Sequence, residues 1–275
     1  MTQKTLLITG CSSGIGYDAA HTMRARGWRV FAACRKQADC DRLTAEGFES
    51  PLIDYRDAAS IAAGLAKVLE ATGGTLNALF NNGAYALPAP VEDIPAPAMR
   101  AIFEANFLGW HDLTIQTIPV MRAQGHGRIV QCSSVLGLVA MRWRGAYVAT
   151  KYALEGLSDA MRLEMTGTGI TVSLIEPGPI DTPFRANAIK AFEKWIDWEK
   201  SARADEYRTS LLDKLYEGSA SGPQWPASAV TRKLIHAVES PRPRPRYYVT
   251  TPTYLMGTLR RLLPTRVLDW LVTRA

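Results

Sequence analysis

The sequence predicts an α/β protein: one parallel sheet with helices on both faces, in a single domain. Three observations carry this. Short β-type runs alternate with longer segments of helical period, the order expected of successive βα units. The purest of these runs are nearly unalternated, as strands buried on both faces should be. The composition, 47% hydrophobic and 21% charged over 275 residues, suits a packed core and excludes disorder.

In chain order, strands are predicted over 5–9, 29–33, 76–80, 128–132 and 170–175, with helices near 15–26, 57–71, 99–124 and 146–166. The segment 183–225 interrupts the rhythm. In it Phe184, Phe192, Trp195 and Trp198 are spaced as a helical stripe, which suits a lid over an apolar ligand or a contact between copies. Trp225-Pro226 and Pro241 to Pro245 read as turn punctuation, the latter delivering the chain to a last strand over 246–250. Residues 1–250 then form the domain. The tail, 251–275, places Leu255, Met256, Leu259, Leu262 and Leu263, then Val267, Leu268, Leu271 and Val272, at helical spacing on either side of Pro264, which predicts two short amphipathic helices.

Two motifs carry chemistry. The first strand runs into Gly10-Cys11-Ser12-Ser13-Gly14-Ile15-Gly16, which opens a helix. Glycines allow a tight turn and close approach to a pyrophosphate, and the helix N-terminus offers free N–H groups and a positive dipole. In the second, Tyr147 and Lys151 lie four apart on one helix face, downstream of Cys132-Ser133-Ser134. A free phenol, with a pKa of about 10, is a weak base near neutrality. A nearby ammonium is expected to lower that value and make Tyr147 a proton donor and acceptor, with Ser134 hydrogen-bonding the reacting oxygen.

Taken together, Thr9 to Gly16, Asn81-Asn82-Gly83-Ala84, Asn106, Ser134, Tyr147-x-x-x-Lys151 and Pro177-Gly178-Pro179-Ile180-Asp181-Thr182 resemble, in order, the short-chain dehydrogenase/reductase family. The similarity spans about residues 4 to 250, and the start of the chain is similar to the hydroxysteroid and retinol dehydrogenase branch. The resemblance implies a seven-stranded Rossmann-type sheet and hydride transfer between a nicotinamide cofactor and an alcohol or carbonyl. It makes Tyr147 the general acid/base and has Ser134 orient the substrate oxygen. Lys151 would bind the nicotinamide ribose, and Asn106 would hold a proton-relay water. Pro177 to Thr182 would contact the nicotinamide, with Ile180 and Thr182 nearest its carboxamide. It further implies that copies pair, as a homodimer or homotetramer, through the helix bearing Tyr147 and its successor. Asn81-Asn82-Gly83-Ala84 departs from the usual Asn-Asn-Ala-Gly; both residues are small, so the strand end and its cofactor contact are expected to survive.

Charge separates the remaining alternatives. An NAD enzyme places an acid about 20 residues beyond the glycine-rich turn, where this chain has Cys34-Arg35-Lys36. A 2′-phosphate is therefore expected, so NADP(H) over NAD(H), with Asp54 at the family's adenine-contact position. The apolar run Leu136 to Met141 before Tyr147 favours a hydrophobic substrate, with Arg142 and Arg144 facing water. Residues 241–275 hold seven Arg against one acid, Asp269, which accounts for the chain's whole formal +6. A nucleic-acid binder would spread such charge along its fold, so none is expected. The basic amphipathic tail suits packing beside the substrate mouth or against a second subunit, or peripheral contact with an anionic membrane. Leu6 to Ile8 is too short for a signal-peptide core, and the longest uncharged stretch, 71–91, is broken by Gly, Asn and Pro, so no spanning helix is expected. Four Cys and four His without ligand spacing predict no metal and a reducing, cytoplasmic setting. A catalytically silent cofactor-binding sensor or scaffold is the rival to an active oxidoreductase.

Overall fold

The computed structural model describes residues 3–217 and 224–274. Six parallel strands form one sheet in the order β2-β1-β3-β4-β5-β6: β1 (Thr5–Thr9), β2 (Arg29–Ala33), β3 (Ala78–Asn81), β4 (Gly127–Cys132), β5 (Ile170–Glu176) and β6 (Arg246–Tyr248). Leu6, Leu7 and Ile8 are inaccessible to solvent, as unalternated sequence requires of a strand covered on both faces.

The sheet has six strands among the described residues, not seven. Beyond β2 the chain makes only isolated bridges, Phe31 with Glu49 and Cys34 with Leu52. Pro51, between those bridges, has no N–H to donate, so a continuous ladder cannot form there.

Around the sheet lie α1 (Gly14–Ala25), α2 (Gln37–Ala45), α3 (Ala58–Thr72), α4 (Ala96–Phe103), α5 (Gly109–Ala123) and α6 (Gly145–Glu164), then α7 (Phe184–Trp195), α8 (Ala204–Glu206), α9 (Leu212–Tyr216) and α10 (Ser228–Glu239). The α3 helix starts where the Asp57 side chain accepts the N–H groups of Ala59 and Ser60, and stops at Gly73, which takes the left-handed φ of 67°. The helix expected over 99–124 is two helices joined by a π turn, Glu104–Leu108. Gly109 follows that turn because a Cβ there would stand 2.2 Å from the Tyr55 carbonyl oxygen. The nine-residue α2 was not predicted; its buried Cys40 and Leu43 give a short period-three signal and little else.

Two cores result. The larger lies on the sheet; the smaller joins Tyr147 to Leu87, Ile102, Phe192, Ile196 and Tyr207, so the insertion's stripe packs inward on the domain.

The tail forms α11 (Thr251–Leu262) and α12 (Thr265–Arg274), with α11 lying against the turn Val135–Gly137. The predicted apolar stripe of α11 does not all face the protein. Thr253 and Gly257 are buried, Met256, Leu259 and Leu263 are half-buried, and Leu255 and Leu262 are exposed. The contact is narrower than the stripe because α11 closes on Tyr248 through Gly257, where a Cβ would lie 2.7 Å from the ring.

Candidate active site

The glycine-rich turn is built by close backbone packing. Gly10 and Gly14 have φ of 68° and 57°, and a Cβ on Gly10 would stand 2.6 Å from Gly83 Cα. One on Gly16 would stand 2.4 Å from the Gly10 carbonyl oxygen. Gly83 lies on Gly10, while the Asn82 amide donates to the Thr9 carbonyl at 3.1 Å, so the altered strand end is intact. Ser13, the N-cap of α1, makes no side-chain capping bond, and the first turn of α1 carries no acid. A cradle closed to side chains at a helix N-terminus left uncapped by side chains fits a dinucleotide diphosphate.

Arg35 and Lys36 are exposed beyond the C-terminal end of β2. Burial pushes the Asp54 carboxyl up, but Arg56, paired with it at 2.9 Å, and Arg35 hold it below its usual range. Sequence reasoning missed Arg42 of α2, whose Nη2 donates to the Ser12 carbonyl at 2.8 Å and ties the turn to that helix. Its only signal was a helix with two apolar anchors.

The C-terminal end of β4 carries the second group. Ser134 caps the turn Val135–Gly137, its Oγ accepting the Leu136 N–H at 3.1 Å, and the Val135 N–H donates to the Pro177 carbonyl at 2.8 Å. Tyr147, in the first turn of α6, is buried, its ring edge-on to Phe184 at 5.6 Å. Lys151 Nζ donates to the Cys132 carbonyl at 2.7 Å and lies 4.3 Å from the Trp110 ring centre and 5.5 Å from that of Tyr147.

Here the structure departs from expectation. Burial pushes the Tyr147 phenol well above its ordinary value, Cys132 adds to the rise, and the group opposing it is the Ser134 hydroxyl, not Lys151. The physical reason is that Lys151 is itself buried, its ammonium spent on Cys132 and the ring faces; burial lowers it to about 8 against the opposing influence of Cys132 and Glu155.

The π turn places Asn106, fully buried, so that its Oδ1 accepts the Tyr85 N–H at 3.1 Å and its Nδ2 donates to the Tyr85 carbonyl at 2.8 Å. Its side chain thus holds the loop after β3. The segment 177–182 folds back over the glycine-rich turn, where a Cβ on Gly14 would stand 2.9 Å from Thr182 Cγ2, while Gly178 sits against Thr250. Trp225 is more than punctuation: it bridges Ile180, accepting the Asp181 N–H at 2.9 Å and donating to the Pro179 carbonyl at 3.0 Å. Pairing over more than 40 residues has no local signal.

Arg142 pairs with Glu206 at 2.9 Å on the surface. Arg144 does not simply face water: it is half-buried, and burial lowers its pKa.

Behind Lys151 lies a buried ionic cluster. Arg246 of β6 binds Glu155, Asp159 at 2.5 Å and Glu176 at 3.0 Å. Glu176 also accepts the Tyr247 N–H at 3.1 Å, and burial, with Glu155 beside it, pushes its carboxyl up to about 8. The cluster ties α6 to the residue immediately before Pro177.

A parallel sheet whose strand ends gather a glycine-rich turn, the exposed cations Arg35 and Lys36 and a Ser-Tyr-Lys group defines a nucleotide-binding oxidoreductase of the Rossmann type. The chain belongs to the short chain dehydrogenase family, whose profile matches residues 4–192. It is 41% identical over 269 residues to the uncharacterized oxidoreductase YbbO of Escherichia coli, covering 97% of this chain and 93% of that one. To human retinol dehydrogenase 16 it is 31% identical over 286 residues, covering 98% and 87%, which places it in the hydroxysteroid/retinol dehydrogenase-like branch. A short chain dehydrogenase/reductase from Burkholderia phymatum, solved with NAD, has the same fold, with a TM-score of 0.77 at 24% identity over 98% of this chain and 95% of that one.

One consequence is direct. Gly16→Ala forces a Cβ into the Gly10 carbonyl, and overpacking of this kind costs about 1–3 kcal/mol. Dinucleotide affinity, read by fluorescence titration, is expected to fall roughly tenfold or more; unchanged affinity would remove this turn as the diphosphate cradle.

Proposed function

We propose that the protein is an NADP(H)-dependent oxidoreductase acting on a hydrophobic alcohol/carbonyl pair, with Tyr147 as general acid/base. The observation that carries this reading is the convergence of Ser134, Tyr147 and Lys151 at the end of β4, with Lys151 buried and held by Cys132. The bound nicotinamide supplies or accepts the hydride. In the reducing direction Tyr147 donates its phenolic proton to the carbonyl oxygen. Burial keeps the phenol protonated near neutrality, as a donor should be. Ser134 orients that oxygen. Lys151 lies against the Tyr147 ring and binds the ribose, Asn106 supports a relay water, and Pro177, Gly178, Ile180 and Thr182 line the nicotinamide. Gly10, Ser12, Ser13, Gly14, Ile15 and Gly16 hold the diphosphate, while Asn82, Gly83 and Asp54 lie toward the adenosine.

Apolar residues support the substrate class. Phe184, Phe192, Trp195 and Trp198 pack in one cluster with Tyr147 and Leu136, as a lid over a hydrophobic ligand would. Exposed Tyr152 and Leu163 on α6, the helix bearing Tyr147, fit pairing of copies through that helix. Hydride transfer measured over a panel of apolar aldehydes, ketones and alcohols, with NADPH and NADH in parallel, tests the proposal. Turnover preferring NADPH is expected; tight cofactor binding with no turnover on any substrate would leave a sensor instead.

Cofactor preference has its own test. Arg35 and Lys36 together face the 2′-phosphate, and charge-assisted bonds contribute about 1.5–3 kcal/mol each. Replacing both by Ser should lower kcat/KM for NADPH by roughly 100-fold or more while leaving that for NADH within a few-fold. An equal fall for both cofactors would reject the assignment.

A further inference from the structure

We propose that the outer face of α11 and α12 is a docking surface for an anionic lipid bilayer. A helix that serves only to pack on its own domain turns polar side chains outward. Here Leu255 and Leu262, two turns apart on one face of α11, are 52% and 73% exposed; Tyr254 beside them is 49% exposed, and Val267 on α12 is 43% exposed. The inner contacts are made by other residues: Thr253 and Gly257 on α11 and Leu268 on α12 are buried. The outward leucines are therefore not needed to hold the tail in place.

Charge identifies what covers them. Arg260, Arg261 and Arg266 are all exposed among these apolar side chains, and Asp269 is the tail's one acid. The tail's charge divides by structure. Of the arginines in 241–275, Arg246 is consumed by the cluster with Glu155, Asp159 and Glu176, and its ion pairs are the only ones these arginines make among the described residues. Arg242 and Arg244 are exposed ahead of β6, while Arg260, Arg261 and Arg266 lie on α11 and α12 with the exposed leucines. Apolar side chains flanked by arginine match the two layers of an anionic membrane surface, where the leucines enter the acyl boundary and the guanidinium groups meet phosphate. A second copy of this chain supplies no such complement, since its matching face is also cationic. No helix among the described residues is long and apolar enough to cross a membrane, so the contact is peripheral.

The location gives the contact a purpose. The α11 helix rests on the turn Val135–Gly137 that Ser134 caps, and its Thr253 reaches Gly178. A bilayer on the outer face therefore lies beside the candidate active site, where an apolar substrate dissolved in lipid would be met. The docking itself does not depend on the reaction proposed above, and its test does not read activity.

The full chain is floated with vesicles of phosphatidylcholine alone or with about one-third phosphatidylglycerol, in low and high salt. Binding is expected to the anionic vesicles only, and to fall with salt. The triple variant Arg260→Gln, Arg261→Gln, Arg266→Gln should bind roughly 100-fold more weakly, at about fivefold per charge. The pair Leu255→Ser and Leu262→Ser should also lose binding while dinucleotide affinity and circular dichroism stay as in the parent. Absence of binding, or equal binding to neutral vesicles, overturns the proposal. So does a leucine pair that leaves binding intact, or one that instead turns a dimer in gel filtration into a monomer.

Discussion

Tyr147→Phe is expected to lower kcat for carbonyl reduction by about 10²–10⁴-fold, the usual contribution of a positioned general acid. The phenylalanine ring retains the edge contact with Phe184, and among the described residues no backbone group bonds the lost hydroxyl, so thermal stability and dinucleotide affinity should stay close to those of the parent. The separation of these readouts is the test. Turnover that survives the substitution would place the proton donor elsewhere, and a fall in affinity equal to that in kcat would mean that the hydroxyl serves binding. Ser134→Ala should act in the same direction with a smaller effect, because in the proposed reaction Ser134 orients the oxygen, and its hydrogen bond opposes the rise in the Tyr147 pKa.

Arg246→Ala is expected to be the most destabilising single change outside the hydrophobic core. Removing one partner of a buried ionic group costs about 3–5 kcal/mol, and in a chain of this size that lowers Tm by roughly 10 °C. Three carboxyl groups would be left without their cation, two of them, Glu155 and Glu176, buried at the joint between α6 and the segment that begins at Pro177. The effect should depend on pH, with a sign that can be worked out. Glu176 titrates at about 8 when folded and at about 4.3 when unfolded. The folded state therefore holds the extra proton between these values, and this group's contribution is fully present below the lower value and lost as pH rises through about 8. Without the guanidinium both buried carboxyls rise further, so the deficit of Arg246→Ala should be larger at pH 9 than at pH 6. Glu176→Gln should flatten the parent's own decline over the same interval. Denaturant unfolding at several pH values reads all three, and a deficit independent of pH would show that Arg246 acts by packing alone.

What local spacing can encode was legible. The five longer strands follow from short β-type runs, the purest of them unalternated, and α1, α3 and α6 from their period. Glycines are the sole residues that fit where Gly10 and Gly16 meet neighbouring backbone, so the turn announced itself. Tyr147 and Lys151 share a helix face by arithmetic. The segregation of charge into the tail was likewise visible in the residues alone.

The tertiary structure decided whatever rests on burial or on partners far away in the chain. Pro51 reduced the seventh strand to bridges only because its neighbour was β2. Packing of Gly109 on Tyr55 accompanies the π turn that brings Asn106 to Tyr85. Arg42 and Trp225 gained their places through contacts 30 and more than 40 residues away. The same holds for the chemistry of the site: four-residue spacing put a lysine near a phenol, but desolvation, set by everything packed around them, raised one and lowered the other. In the tail, periodicity marked which residues are apolar, and only docking through Gly257 settled which of them face the protein and which face outward. Sequence spacing specifies directions around a helix or strand; what lies in each direction is a property of the fold.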